Sequence, residues 1–393
     1  MTTYREIRNP LILFFTIRLL LATGERMFSP FLPTIARGLN TEVTRVTLAL
    51  SLAFLASAFS PFLATVSDRY GRKPVILSGL ALYIAGCLLL AYIPFYITFL
   101  FGVLLMGIAH SLIVPTILAY MSDRISYQNR GLYLSLIETS WALSFIIGIP
   151  VMAFFVESYG WRFPFGLLAA GNGVLFFCVL WLVKEDHTFL QTNNSYLSHL
   201  GNLLHSIPAL AGLMMAFVFG ISEHSINIIM GLWMEDVFGL AVLAIGGVAS
   251  LVGISQLIGE LISAFGVDRV GKLRLSRLAL LLNIIILLQI FWMGQSLNGA
   301  VLWLFLSFLT FELFFVCSLS IISEILPESR TTMAASYTTF IAFGFAAGTF
   351  LGPYLYPFGI GFVAISCAIF SGVALLLFWL FLSPNLPADQ FLE

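Results

Sequence analysis

Arg18, Glu25, His110, Glu138, Glu223, His224 and Glu312 are ionisable side chains standing inside long apolar runs. Charge is costly in such surroundings, so each is a candidate for a functional role. The carboxylates Glu25, Glu223 and Glu312 can take up and release a proton, and the imidazoles His110 and His224 change charge near neutral pH. These five are the candidates for proton coupling. The competing reading makes them hydrogen-bonded packing groups that fix helix contacts. A shift of 200 residues carries Glu25 to position 225, beside Glu223, and His110 to position 310, beside Glu312. The two halves of the chain therefore hold ionisable groups at near-equivalent places.

Arg18 and Glu25 share one face of a helix, because residues seven apart lie on the same side and about 10 Å apart along the axis. Arg18 can receive an anionic substrate group or neutralise Glu138; both roles remain open. Trp141 follows Glu138 by three residues on the same helical face and can wall a substrate cavity. Asn227, in the run that holds Glu223, completes the cavity candidates Arg18, Glu138, Trp141 and Asn227. Arg26 is expected to reach a polar outer edge, and Trp233 to anchor at the interface.

The elements that hold these residues are membrane helices. Charged residues make up 9% of the 393-residue chain and apolar residues 60%, where an ordinary soluble chain has about 25% charged. About twenty apolar residues cross the hydrocarbon core as a helix, and helices satisfy their own backbone there. The resulting fold class is an all-α membrane protein of twelve spans in two six-helix halves. Spans one to six run Leu11–Ala36, Arg45–Val66, Pro74–Ile93, Phe95–Met121, Gly131–Val156 and Trp161–Val183. Spans seven to twelve run Ile207–Trp233, Leu240–Phe265, Leu275–Gly294, Gly299–Ser323, Thr332–Tyr356 and Gly359–Leu382. The domains read as 1–183, a cytoplasmic linker 184–206, and 207–393.

An inside N-terminus puts Arg5, Arg8, Arg69, Arg72, Lys73, Arg124, Arg130, Lys184, Arg269, Lys272, Arg274, Arg277 and Arg330 in the cytoplasm. Only Arg37, Arg45 and Arg162 then fall outside. That bias orients the chain with both termini cytoplasmic. The expected location is the cell (inner) membrane. Net charge of −1 leaves no basic footprint for nucleic acid. Cys87, Cys178, Cys317 and Cys367 lie in apolar segments and read as small hydrophobes, not metal ligands or disulfides. No catalytic triad, P-loop or dinucleotide glycine pattern points to an enzyme.

Ala64-Thr-Val-Ser-Asp68-Arg69-Tyr-Gly71-Arg72-Lys73 recurs, altered, as Ala264-Phe-Gly-Val-Asp268-Arg269-Val-Gly271-Lys272. Asp68 and Asp268 are 200 residues apart, about half the chain, so the chain is a duplication. The first loop resembles the signature of the major facilitator superfamily, and the second resembles its echo. Gly160-Trp161-Arg162-Phe163-Pro164-Phe165 and Glu324-Ile-Leu-Pro327-Glu-Ser-Arg330 resemble two further habits of that superfamily. The branch most resembled is the twelve-helix drug–proton antiporter and sugar-efflux branch. Departures stand beside the likeness: Ala64 and Ala264 replace the usual glycine. Gly148-Ile-Pro150 is only part of the antiporter motif of span five, and span four lacks the branch's common arginine.

The resemblance implies a secondary transporter in which spans one, four, seven and ten line a central cavity and the halves alternate in access. It implies a cytoplasmic latch of Asp68, Arg69, Gly71, Arg72 and Lys73, with Glu260, Asp268, Arg269, Gly271 and Lys272 as its second copy. The expected activity is proton-coupled export of an amphipathic small molecule. The partners are that substrate, protons and membrane lipid, the chain is a monomer, and the proton gradient replaces any cofactor. The alternatives are uptake or exchange of a small polar or anionic metabolite, and a non-transporting membrane receptor or scaffold.

Overall fold

A computed structural model describes residues 4–184, 203, 205–326 and 330–382; most of the expected linker 184–206 lies outside them. Nine helices among the described residues are long and apolar enough to cross a membrane. The other expected spans are helical but interrupted or less apolar. Their interruptions have local causes.

The first span begins at Tyr4, ahead of Leu11, runs as one helix to Arg26, turns, and resumes as Leu32–Gly38. Pro30 cannot donate a backbone hydrogen bond to the carbonyl of Arg26, and Pro33 cannot donate to that of Ser29, so the ladder fails over this stretch. Span two breaks into Val43–Ser57 and Ser60–Tyr70, with Pro61 at the start of the second piece. Span nine is Lys272–Leu288 followed by the short Ile290–Met293. Spans three, four and six are the helices Arg72–Tyr92, Tyr96–Arg124 and Phe163–Leu182.

Span five is continuous but changes winding. Helix Tyr127–Leu143 passes through a π-helical turn, Ser144–Gly148, into helix Ile149–Tyr159. Pro150 frees the carbonyl of Ile146, and a wider turn is a common way to absorb such a misfit. The hydroxyl of Ser250 donates to that carbonyl at 2.9 Å. Glu157 accepts the backbone N–H of Leu243 at 2.8 Å, next to the start of helix Val242–Val270. A carboxylate is favourable there because the first N–H groups of a helix lack internal partners.

Spans seven, ten, eleven and twelve are centred on helices Ile207–Phe238, Leu297–Ile325, Arg330–Leu355 and Ile360–Leu377. Span eleven lies against span seven along Gly344, Gly348 and Gly352. A Cβ at Gly348 would stand 2.7 Å from the carbonyl oxygen of Ile221, so only glycine allows this approach. Trp233 is a correction. It is buried, with its ring 5.6 Å from that of Trp303 and 5.9 Å from that of Phe238. It is a packing residue of the helical bundle and not an interfacial anchor.

The chain divides into two compact units, 1–193 with 240–250, and 194–239 with 251–393. The stretch 240–250 thus belongs with the first unit, although span eight lies in the second half in sequence order. At the signature loops, Gly71 has φ 91° and Gly271 φ 87°. Glycine reaches this left-handed region without steric cost, so both loops turn tightly at equivalent places.

Candidate substrate and proton site

In the first unit, spans one, four and five bring together Arg18, Glu25, Arg26, His110, Glu138 and Trp141. Arg18 donates from Nη2 to Glu138 Oε2 at 2.7 Å. Arg18 is buried, whereas the Glu138 side chain is 45% exposed. The charge of Arg18 is therefore already answered within the protein by a charge-assisted hydrogen bond. Its other amino group, Nη1, lies 3.4 Å from His110 Nε2.

The same His110 nitrogen lies 3.4 Å from Glu25 Oε2. That carboxylate oxygen is buried and has no hydrogen-bond partner among the described residues; the distance suits an ion pair, but the angles do not make a hydrogen bond. A guanidinium only donates, and a carboxylate only accepts unless it carries a proton. Nε2 can accept from Arg18 when unprotonated, or it can share a proton with Glu25. It cannot do both with one lone pair. The expected common face of Arg18 and Glu25 is realised as this joint approach to one imidazole.

Arg26 departs from its expected place at a polar outer edge. It is 7% exposed, with its guanidinium carbon 3.9 Å from the Trp141 ring centroid and 4.1 Å from that of Phe145. It also donates to the Trp141 carbonyl at 3.2 Å. Cation–π attraction and this hydrogen bond help to hold a charge so far from water. Arg18 lies farther from the same ring, at 5.9 Å. Trp141 is half-buried, so its ring is a wall with two cations beside it. Phe145 and Arg26 were not legible as site residues, because their partners lie more than a hundred positions apart.

The second unit arranges its polar groups differently. Glu223 Oε2 lies 3.4 Å from His224 Nδ1, and Glu223 Oε1 accepts from Asn227 Nδ2 at 3.4 Å. All three are on span seven, and His224 stacks on Phe345 with ring centroids 4.7 Å apart. Glu312 is 8% exposed, and a Cβ built at Gly259 would lie 3.0 Å from its own Cβ. Glu312 thus faces span eight.

A neutral chain of side chains runs beside this group. Ser222 Oγ donates to the Cys367 carbonyl at 3.0 Å and stands 3.0 Å from Ser371 Oγ. Ser371 donates to Asn283 Oδ1 at 2.9 Å, and Asn283 Nδ2 donates to Thr310 Oγ1 at 2.9 Å. Spans seven, twelve, nine and ten are tied together this way. Single serine, threonine and asparagine residues in apolar helices carry no periodic signal, so sequence alone misses the chain.

At the signature loops, Arg72 donates to Ser67 Oγ at 2.6 Å and lies 3.5 Å from Asp123 Oδ2. Lys73 donates to the Leu180 carbonyl at 2.9 Å, and Arg69 lies over the Tyr70 ring at 5.5 Å. Lys272, in the second copy, pairs with Glu324. Arg72 and Lys272 are 200 residues apart, each opens a span, and each meets an acidic residue near the end of the next span. The side chains of Asp68 and Asp268 lie outside the described ones; their backbones are helical, as are those of Glu260 and Arg269.

The profile of the family described as Major Facilitator Superfamily matches residues 14–337. The chain belongs to the Major Facilitator Superfamily. Among its relatives, the uncharacterized MFS-type transporter YwfA of Bacillus subtilis (strain 168) is 32% identical over 142 residues, 36% of this chain and 34% of that protein. That match therefore spans about a third of the relative's length. Multidrug resistance protein 2 of the same organism is 23% identical over 351 residues, 84% of this chain and 86% of that protein. The crystal structure of a D-xylose-proton symporter aligns with TM-score 0.80 at 17% identity, covering 96% of this chain and 98% of that one. The likeness to that structure concerns the fold. This member of the superfamily is accordingly a multi-pass membrane protein and a transporter of small molecules, not an enzyme.

Proposed function

We propose that the protein is a secondary active transporter that exports an amphipathic small molecule in exchange for protons. It works by alternating access, as a monomer in the lipid of the cell membrane, with both termini cytoplasmic and the proton gradient as its energy source. The observation that carries this reading is His110 Nε2 held 3.4 Å from both Arg18 Nη1 and Glu25 Oε2. One lone pair faces a permanent donor on one side and a carboxylate on the other. A proton arriving on Glu25 or His110 replaces the contact with Arg18 by one between Glu25 and His110. A proton-coupled carrier needs such an exchange, because protonation must change side-chain contacts to change conformation. The name of the relative Multidrug resistance protein 2 supports export, and the apolar surroundings of the cluster support an amphipathic cargo.

Uptake of an anionic metabolite through Arg18 is less well supported, since Glu138 already holds that guanidinium at 2.7 Å. The test uses inverted vesicles made acidic inside and a panel of amphipathic drugs of each charge. Export predicts that at least one drug accumulates, and that adding it to energised vesicles lets protons leave. Accumulation only in right-side-out vesicles driven by an external acid pulse would sink the proposal.

A further inference from the structure

The aromatic surface beside the proton site already holds a cation, and that cation belongs to the protein. Arg26 lies 3.9 Å from the Trp141 ring centroid and 4.1 Å from that of Phe145, and its Nη1 donates to the Trp141 carbonyl. Two aromatic rings about a cation form the arrangement that recognises quaternary ammonium and phosphonium ligands. Here the guanidinium takes that place. We infer that Arg26 is a specificity-determining residue: by filling the Trp141–Phe145 cage it excludes lipophilic cations and leaves the site to uncharged or anionic amphipaths.

Charge balance points the same way. The cluster holds two fixed cations, Arg18 and Arg26, and two carboxylates, Glu25 and Glu138; Arg18 pairs with Glu138, and His110 stands between Arg18 and Glu25. When both carboxylates are ionised and His110 is neutral, these groups balance. A proton taken up by Glu25 or His110 leaves them one positive charge in excess. Summed over the cluster, an incoming cation would meet no net negative charge in either state. An uncharged ligand meets no penalty in either, and an anion is favoured in the protonated one. Removing Arg26 reverses the preference twice over, since it vacates the cage and leaves the cluster one charge negative. Trp141 is half-buried and Glu138 is 45% exposed, so the vacated surface is within reach of a ligand.

The inference rests on the reading of this cluster as the transport site, but its test reads charge selectivity in binding and does not depend on proton coupling or direction. The purified full-length protein in detergent is titrated with tetraphenylphosphonium, triphenylphosphine oxide and tetraphenylborate, which carry four, three and four phenyl groups and differ in charge. Quenching of tryptophan fluorescence and thermal stabilisation report binding. The wild type is expected to bind the phosphine oxide or the borate at least about tenfold more tightly than the phosphonium. Arg26→Leu is expected to gain about tenfold or more for the phosphonium, and Arg26→Lys, which keeps a cation, to retain the wild-type order. Trp141→Leu in the Arg26→Leu background is expected to remove the gain. If Arg26→Leu does not fold, Arg26→Gln makes the same test, and the wild-type order is decisive alone. A wild type that binds the phosphonium as well as the phosphine oxide, an Arg26→Leu or Arg26→Gln variant with unchanged order, or no binding of any probe would overturn the inference.

Discussion

The polar groups of the two units differ in kind. In the first, Arg18, Glu25, Glu138 and one imidazole, drawn from spans one, four and five, form a cluster in which one nitrogen faces both Arg18 and Glu25 and cannot satisfy both. In the second, Ser222, Ser371, Asn283 and Thr310 make a neutral chain whose links are 2.9–3.0 Å long. Its carboxylate Glu223 meets His224 and Asn227 of its own helix. Under-satisfied charge allows rearrangement, whereas a closed neutral network resists it. On the proposed reading, a duplicated chain has given its halves separate tasks: the exchangeable proton belongs to the cluster of the first, and the second holds its helices together.

The widest gap between the halves should appear in proton coupling. Glu25→Gln keeps the shape of the side chain but cannot exchange a proton, and should lower proton-driven drug transport by about 100-fold or more. Drug-for-drug exchange in the absence of a gradient should survive it. A variant that keeps proton-driven transport would erase the comparison. Glu223→Gln, placed in the same assay, should lose less than about tenfold; an equal loss would make the two halves alike.

The second unit's rigidity should show in stability. Gly348→Val forces a Cβ within 2.7 Å of the Ile221 carbonyl and 3.0 Å of the Ser225 nitrogen, both backbone atoms. Over-packing of this kind costs about 1–3 kcal/mol, read as a lower melting temperature in detergent. Asn283→Leu removes the centre of the neutral chain and should cost about 1–2 kcal/mol, since interhelical hydrogen bonds in membranes are individually modest. Melting at the wild-type temperature for both variants would remove the claim that this unit is held by these contacts.

Much of the architecture was legible because it depends on period and punctuation. Apolar runs marked the spans, and the 200-residue echo of Asp68-Arg69-Tyr-Gly71 marked the duplication and the two glycine turns. Interruptions at Pro30, Pro61 and Pro150 carry a visible cause, although the sequence reading ran its spans straight through them. The meeting of Arg18 with Glu138 was one of two readings left open, and the structure forms the pair. Arg26 was less legible: an arginine near a helix end resembles a surface residue until Trp141 and Phe145 are brought over it from span five. Trp233 misled for the converse reason, since burial against Trp303 is decided by a helix seventy residues away. Partners such as Asp123 for Arg72 and Glu324 for Lys272 follow from helix packing, which no local pattern encodes.

Proton release on substrate binding distinguishes the two halves. The tightest-binding drug of the panel is added to detergent-solubilised protein in weakly buffered solution, and the change in pH is read with a soluble dye. The wild type and Glu223→Gln are expected to release protons to a similar extent, and Glu25→Gln to bind the drug without releasing any. Release that persists in Glu25→Gln but vanishes in Glu223→Gln would place the exchangeable proton in the second half and contradict the account.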